Sequence, residues 1–322
     1  MFSGENRLRI LPARSHKSKL AVQQKVELRY FRQHDYSEGI MRKIKCCGTL
    51  VAALVWLVAV SANAAEKRPI DVIEDNSFLI EEAYNQEPGV VQHIFNAQYT
   101  QSGRTHGWQF NFTQEWPVFS QDHQFSYTIP SYHFIDEGSR VSGLGDLLLN
   151  YRYQLVYEGD IKPALAPRFS LILPTGNRKK ATGNNVVGYQ LNLPVSKKVS
   201  DQIALHFNLG ATFLPHVKPV DDDGNSAKKS LTSVNVGGSA IYALYPRFNL
   251  MLEWVGNSEQ SFDNTGKRQR SFLSTLSPGF RTAVVNEDNL QIVTGAAMPI
   301  GLNHKTDNLG AFLYFSIEHD LF

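Results

Sequence analysis

The residues from Leu144 to Pro174, LGDLLLNYRYQLVYEGDIKPALAPRFSLILP, leave few folds open. In the first half Leu147, Leu149, Tyr151, Tyr153, Leu155 and Tyr157 share one parity, and Asp146, Leu148, Asn150, Arg152 and Gln154 the other. In the second half Leu165, Phe169, Leu171 and Leu173 alternate with Ala166, Arg168, Ser170 and Ile172. A period of two assigns the two sets to opposite faces of a β-strand. Glu158-Gly159-Asp160 separates the runs and folds them into a hairpin. Runs of about ten residues or more exceed the five or six of a typical soluble strand. They match the roughly 9–11 residues of a tilted transmembrane strand.

The same rule governs the chain from residue 91 onward. It predicts twelve strands: 91–99, 107–116, 124–135, 145–157, 161–173, 186–197, 202–214, 231–245, 247–256, 270–284, 289–298 and 308–321. From the fourth strand, short turns (158–160, 198–201, 245–247, 285–288) alternate with long polar loops (174–185, 215–230, 257–269, 299–307). Outer-membrane barrels have short periplasmic turns and longer external loops, whereas a soluble sandwich has no reason to alternate them. An even strand count returns both termini to one side. No run after residue 65 approaches the ~20 apolar residues of a spanning helix, and aromatics make up 11 % of the chain. The expected fold is an all-β, transmembrane, antiparallel up-and-down barrel of twelve strands.

The N-terminal third divides differently. Met41-Arg-Lys-Ile-Lys45, the apolar run Cys46–Ser61 and Ala62-Asn63-Ala64 have the anatomy of a secretory signal peptide cleaved before Ala65. Residues 1–40 precede it and are expected to be a mis-annotated upstream extension, with translation starting at Met41. Residues 1–64 carry a charge of +7 and 65–322 a charge of −5, which leaves no nucleic-acid footprint. Both cysteines, Cys46 and Cys47, fall within the signal peptide, so the mature chain has no thiol chemistry and no disulfide. Residues 65–90 are acidic and are expected to form a periplasmic segment, trailing in solvent in preference to plugging the barrel mouth. Residues 91–322 are the barrel, and the expected location is the outer membrane of a Gram-negative cell.

Gly143-Leu-Gly-Asp146 ahead of a long strand, followed by Leu173-Pro-Thr-Gly176, resembles the outer-membrane family labelled MetA-pathway of phenol degradation. The likeness runs from Gly143 to the C-terminus. It implies a secreted barrel that passes small, often aromatic molecules, and it brings no catalytic residues. The final strand ends on Phe322, similar to the signal read by the barrel-assembly machinery, although Phe322 is out of phase with the apolar set Leu309, Ala311, Leu313, Phe315 and Ile317.

If the apolar parity faces lipid, the other lines a lumen. The lumen candidates are Asp146, Asn150, Arg152, Arg168, His206, Glu253, Arg281 and Glu318, joined by Gln154, Ser170, Gln190, Asn192, Asn208, Asn249 and Ser316. Eight strands leave an interior just filled by side chains and sixteen an aqueous channel, so twelve imply a narrow or partly blocked pore. The charged candidates either pair with one another across the lumen or set its selectivity. Trp108, Trp116, Tyr132, Tyr157, Tyr242, Tyr245, Trp254 and Tyr314 are expected in interfacial girdles. Basic clusters at Arg178-Lys179-Lys180, Lys228-Lys229 and Lys267-Arg268 could meet surface glycolipid.

No Ser/His/Asp grouping, metal-ligand spacing or phosphate loop marks an active site. The expected protein is therefore not an enzyme and needs no cofactor and no metal. Its partners would be the bilayer with its surface glycolipid, the assembly machinery and a small-molecule solute. The reading is a channel for passive diffusion of small, aromatic or hydrophobic molecules. The alternatives are a non-conducting structural or binding barrel, or a barrel lipase.

Overall fold

A computed structural model describes residues 72–321, except 103–104, 137, 219–227, 264–265, 304–305 and 307–308. The proposed signal peptide, the upstream extension and Phe322 lie outside the described residues.

Fifteen paired segments form twelve antiparallel barrel strands, three of them broken in two. They are β1 (Val90–Ser102), β2 (Thr105–Val118), β3 (Ser120–Asp136), β4 (Ser139–Leu144 and Leu147–Tyr153), β5 (Ala164–Leu165 and Arg168–Leu173) and β6 (Gly188–Ser200). The circuit continues with β7 (Ile203–Val217), β8 (Lys229–Tyr245), β9 (Phe248–Phe262), β10 (Arg268–Glu287), β11 (Leu290–Ala297 and Ile300–Gly301) and β12 (Leu309–Asp320). Each strand pairs with the next, and β1 closes on β12 from Val90↔Asp320 to Gln101↔Leu309. Closure leaves no open sheet edge, the condition for a sheet to cross a bilayer.

The breaks have local causes. Proline cannot donate to a ladder, and Pro167 and Pro299 interrupt β5 and β11. The hairpin expected to run unbroken to Tyr157 and from Ile161 therefore frays. Regular pairing stops at Tyr153, and one bridge, Val156↔Leu165, holds the Gln154–Pro163 link closed. In β4, Gly145 donates to the Pro130 carbonyl at 2.7 Å and the chain steps out of the ladder at Asp146.

The rim bearing both strand termini also carries the links between β2 and β3, β4 and β5, β6 and β7, β8 and β9, and β10 and β11. It is the terminal rim here, and the opposite end is the distal rim. Outward positions are apolar and exposed all around the wall: Phe95, Phe110, Tyr151, Phe169, Leu191, Phe207, Leu252, Phe272 and Leu313. An apolar belt of this extent is a lipid-facing surface. Tyr157, Tyr242 and Trp254 are exposed and lie on the outer surface. Two of the expected girdle residues do not: Tyr314 is buried inside the barrel and Tyr132 lines an interior cavity. Tyr314 belongs to the inward parity of β12, so its ring cannot reach lipid.

Candidate functional site

The barrel interior is where this chain departs from its expectation. Residues 72–88 neither trail in solvent nor form a helix. They enter at the terminal rim, rise to mid-barrel at residues 78–81 and return to Val90, touching inward side chains from most of the wall. The Val72 N–H donates to the Asp201 carbonyl at 3.1 Å, at the β6–β7 turn. At the other end Asn85 Nδ2 donates to the carbonyls of Gln121 and Asp122, beside the β2–β3 turn.

An irregular segment buried inside a membrane protein needs partners for its backbone groups, and the wall supplies many of them. The Glu253 carboxylate, fully buried, accepts the successive N–H groups of Phe78, Leu79 and Ile80 at 3.1–3.3 Å. Three amides converging on one carboxylate form an anion-binding nest built around a wall residue. Arg281, also fully buried, donates to the carbonyls of Ile73 (2.5 Å), Asp75 (2.7 Å) and Asn76 (3.0 Å). Asn208 takes both sides of Glu81, accepting its N–H at 2.8 Å and donating to its carbonyl at 2.7 Å. Arg152 donates to the carbonyls of Glu82 and Tyr84, and Gln154 to that of Ala83 while accepting the Asn85 N–H.

Charges are matched in the same way. Glu81 of the inner segment forms a two-pronged contact with Arg168 Nε (2.8 and 3.0 Å) and meets Arg152 at 3.3 Å. Glu82 meets Arg281 at 3.3 Å. Asp75 accepts hydrogen bonds from Gln92, Tyr314 and Ser316. The lumen arginines thus pair chiefly with carboxylates of the inner segment, and Arg152 also lies 3.8 Å from the wall carboxylate of Glu115, as a buried charge requires a partner. Apolar contacts complete the fit. The Phe78 ring lies 5.3 Å from Phe312 and 5.1 Å from Tyr314, within a cluster that includes Ile73, Ile241, Met251 and Val293. Gly295 makes room for it: a Cβ there would lie 2.5 Å from the Phe78 ring.

At the terminal rim the Tyr84 hydroxyl donates to Glu158 Oε2 at 2.6 Å, while Lys197 Nζ and the Lys198 N–H donate to Oε1. Partial burial raises the Glu158 carboxyl, but these three hydrogen bonds outweigh it and hold the group below the ordinary glutamate range. The Glu74 and Lys198 side chains form a further ion pair nearby.

The distal half is built differently. A polar cavity of about 430 Å³ is bounded by β1 to β5 and by residues 181–184 of the β5–β6 loop. Asn96, Gln109, Asn111, Thr113 and Thr128 supply amides and hydroxyls to its wall, and Tyr132, Leu148 and Ile172 supply apolar surface. The loop is drawn into the barrel by Asp146. Its carboxylate accepts the Gly176 N–H (2.9 Å), the Asn184 N–H (2.8 Å) and Asn184 Nδ2 (3.3 Å). Thr175 Oγ1 donates to the Gly145 carbonyl and accepts the Leu147 N–H, both at 2.9 Å. A Cβ on Gly183 would lie 2.4 Å from Asp146 Oδ1. Gly143–Asp146 and Leu173–Gly176, far apart in sequence, therefore meet as one latch.

The placement of the remaining candidates is plain. Asn150 is buried and accepts from Arg168 at 3.1 Å. Glu318, half-buried near the terminal rim, meets Gln86 at the end of the inner segment. His206 is buried, with Nδ1 at 2.8 Å from Ser196 Oγ and Nε2 at 3.7 Å from Glu82 Oε1. That trio has the residue types of a hydrolase triad, yet Ser196 is fully buried and its oxygen accepts the Ala83 N–H at 2.7 Å. Its role here is to hold the segment. Sequence reasoning missed Ser196, Asp75, Glu81 and Glu82. Only the alternation of β6 and β7, which pairs Ser196 with His206, carried any sign of the first.

No family model and no curated protein sequence matches the chain. Among solved structures it is similar to the COG4313 outer membrane channel from Pseudomonas putida F1, with a TM-score of 0.55 and 12 % identity over 77 % of this chain and 99 % of that one. It also matches the NanC porin (TM-score 0.45, 8 % identity, 71 % and 98 % covered) and the CymD monoaromatic hydrocarbon channel (TM-score 0.38, 10 % identity, 73 % and 89 % covered). The first of these likenesses places the chain's fold among transmembrane barrels.

Proposed function

We propose that the chain is an outer-membrane channel for passive diffusion of small solutes, closed in the described state by residues 72–88. The observation that supports this reading is the division of the interior. The distal half keeps an unfilled polar cavity, while the terminal half is occupied by a segment held largely through polar contacts that water can replace. A barrel that served only as a scaffold could be filled throughout by its own side chains, as eight-stranded barrels are.

Export would follow from the Met41–Ala64 signal peptide, and the even strand count would then set the terminal rim in the periplasm. In that orientation the cavity faces the cell exterior, and Arg178, Lys180 and Arg268 lie where surface glycolipid begins. The last strand would serve the assembly machinery. With the inner segment displaced, Arg152, Arg168, Arg281 and Glu253 would line the widened path and bias its ion selectivity. The resemblance to the MetA-pathway family supports the same channel role, while the aromatic solute class it implies is not favoured by the amides and hydroxyls that line the cavity.

A non-conducting binding barrel is the competing reading, favoured by the number of contacts that hold the segment. Liposome swelling separates the two. Vesicles carrying the mature chain, residue 65 onward, should swell slowly in a small neutral solute such as glycerol, and fast once residues 66–88 are removed. No swelling, from protein shown to be folded by heat-dependent gel mobility, would leave the binding barrel.

A further inference from the structure

The chemistry of the distal cavity specifies more than a passage. We infer that it is a recognition site for a neutral, hydroxyl-rich solute about the size of a mono- or disaccharide, an inference that rests on the channel reading and narrows its substrate class.

Three observations carry it. First, the lining residues include no lysine, arginine or histidine, so nothing in the wall attracts an anion. Second, the single carboxylate, Asp146, has its oxygens engaged by two backbone N–H groups and an amide, so it is committed to the loop and not offered to a cation. Third, the remaining polar surface consists of groups suited to neutral partners. Asn111 Nδ2 donates to Asn96 Oδ1 at 2.8 Å, Gln109 Nε2 donates to Asn111 Oδ1 at 3.2 Å, and the hydroxyls of Thr113 and Thr128 lie 2.9 Å apart. Amides and hydroxyls each offer both donors and acceptors, as a polyol does. These mutual bonds use only part of each group's capacity, and the second N–H and remaining lone pairs would be left unmet by an apolar solute.

The volume also fits. About 430 Å³ lies within the range of built small-molecule sites, above the smallest. Tyr132 and Leu148 give a ring an apolar face to rest on. The site is assembled by the latch, because Thr182, Gly183 and Asn184 form one of its walls only while Asp146 holds the loop inward. It is also linked to the inner segment. Asn150 Nδ2 donates to Thr128 Oγ1 at 3.5 Å, and Arg168 bridges Asn150 to Glu81.

Saturation-transfer NMR on the detergent-solubilised mature chain tests this with sucrose, glucuronate and phenol as probes. Sucrose should show transfer, with glucuronate and phenol much weaker. Asn111→Leu should weaken sucrose about five-fold, the effect of losing one to two hydrogen bonds. Gln109→Leu serves if the first variant loses its heat-dependent mobility. Equal transfer to glucuronate or phenol, or an unchanged signal in the folded variant, would overturn the assignment. Ion currents from the same preparation separate the two claims: a barrel that conducts but ignores sucrose loses the substrate class and remains a channel.

Discussion

At the scale of single residues, Glu253 shows what inward alternation conceals. From the sequence it is one of several polar side chains on one parity of β9. In the structure it closes a nest of three backbone N–H groups. Glu253→Gln keeps the volume but replaces an acceptor oxygen with a donor facing those amides. Charge-assisted bonds of this kind are worth about 1.5–3 kcal/mol each, so the variant should loosen residues 78–80 while leaving the wall folded. Faster amide exchange at Phe78–Ile80, with unchanged gel mobility, is the expected result. Phe78→Ala should loosen the same turn by about 3–5 kcal/mol through loss of a buried ring, read by the same exchange experiment. Glu158 provides a pH test. Its folded carboxyl lies below the ordinary value of 4.5, so its contribution is full above that value and is lost as pH falls through the depressed one. Proteolysis near Tyr84 should therefore increase below about pH 4.5, and in Glu158→Gln it should already be raised above that pH and converge with wild type as the carboxyl protonates. A wild-type profile flat down to pH 3 would remove Glu158 as the anchor.

At the scale of elements, legibility followed periodicity. All twelve strands could be read because alternation is local and each wall residue reports its own face: Asn150, Arg152 and Gln154 point inward, and Tyr151, Tyr153 and Leu155 are exposed. Strand ends were less legible. Prolines cut the β4–β5 hairpin short, while β9 and β10 extend well beyond the bilayer requirement and reduce the expected 257–269 loop to residues 263–267. Residues 72–88 could not be read at all. Their backbone partners come from strands up to 208 positions away, as for Ile73 and Arg281, and no period in the segment records them. Acidity was the one available sign, since Glu81 meets Arg152 and Arg168 on one side of the wall and Glu82 meets Arg281 on another. The two halves of the Gly-Leu-Gly-Asp/Leu-Pro-Thr-Gly pair were visible as motifs, but their joining through Asp146 was not. Asp146→Ala should release the loop, raising trypsin cleavage at Arg178 and Lys180 several-fold with the barrel intact. Unchanged cleavage would mean the loop holds its place without the latch.

At the scale of the whole molecule, the barrel and its inner segment are complementary parts. The wall carries buried arginines and a buried glutamate that an empty apolar interior could not tolerate, and the segment carries backbone groups that no helix or sheet satisfies. Each resolves the other's unpaired groups, leaving one half of the lumen sealed and the other a polar cavity. The most direct test is single-channel recording in a planar bilayer, comparing the mature chain with a version lacking residues 66–88. The intact chain should show small or infrequent current steps. The shortened one should conduct steadily and more strongly, with ion selectivity that shifts on substitution of Arg152 or Arg168. Equal conductance from the two proteins would contradict the account, because the segment could not then be what closes the barrel.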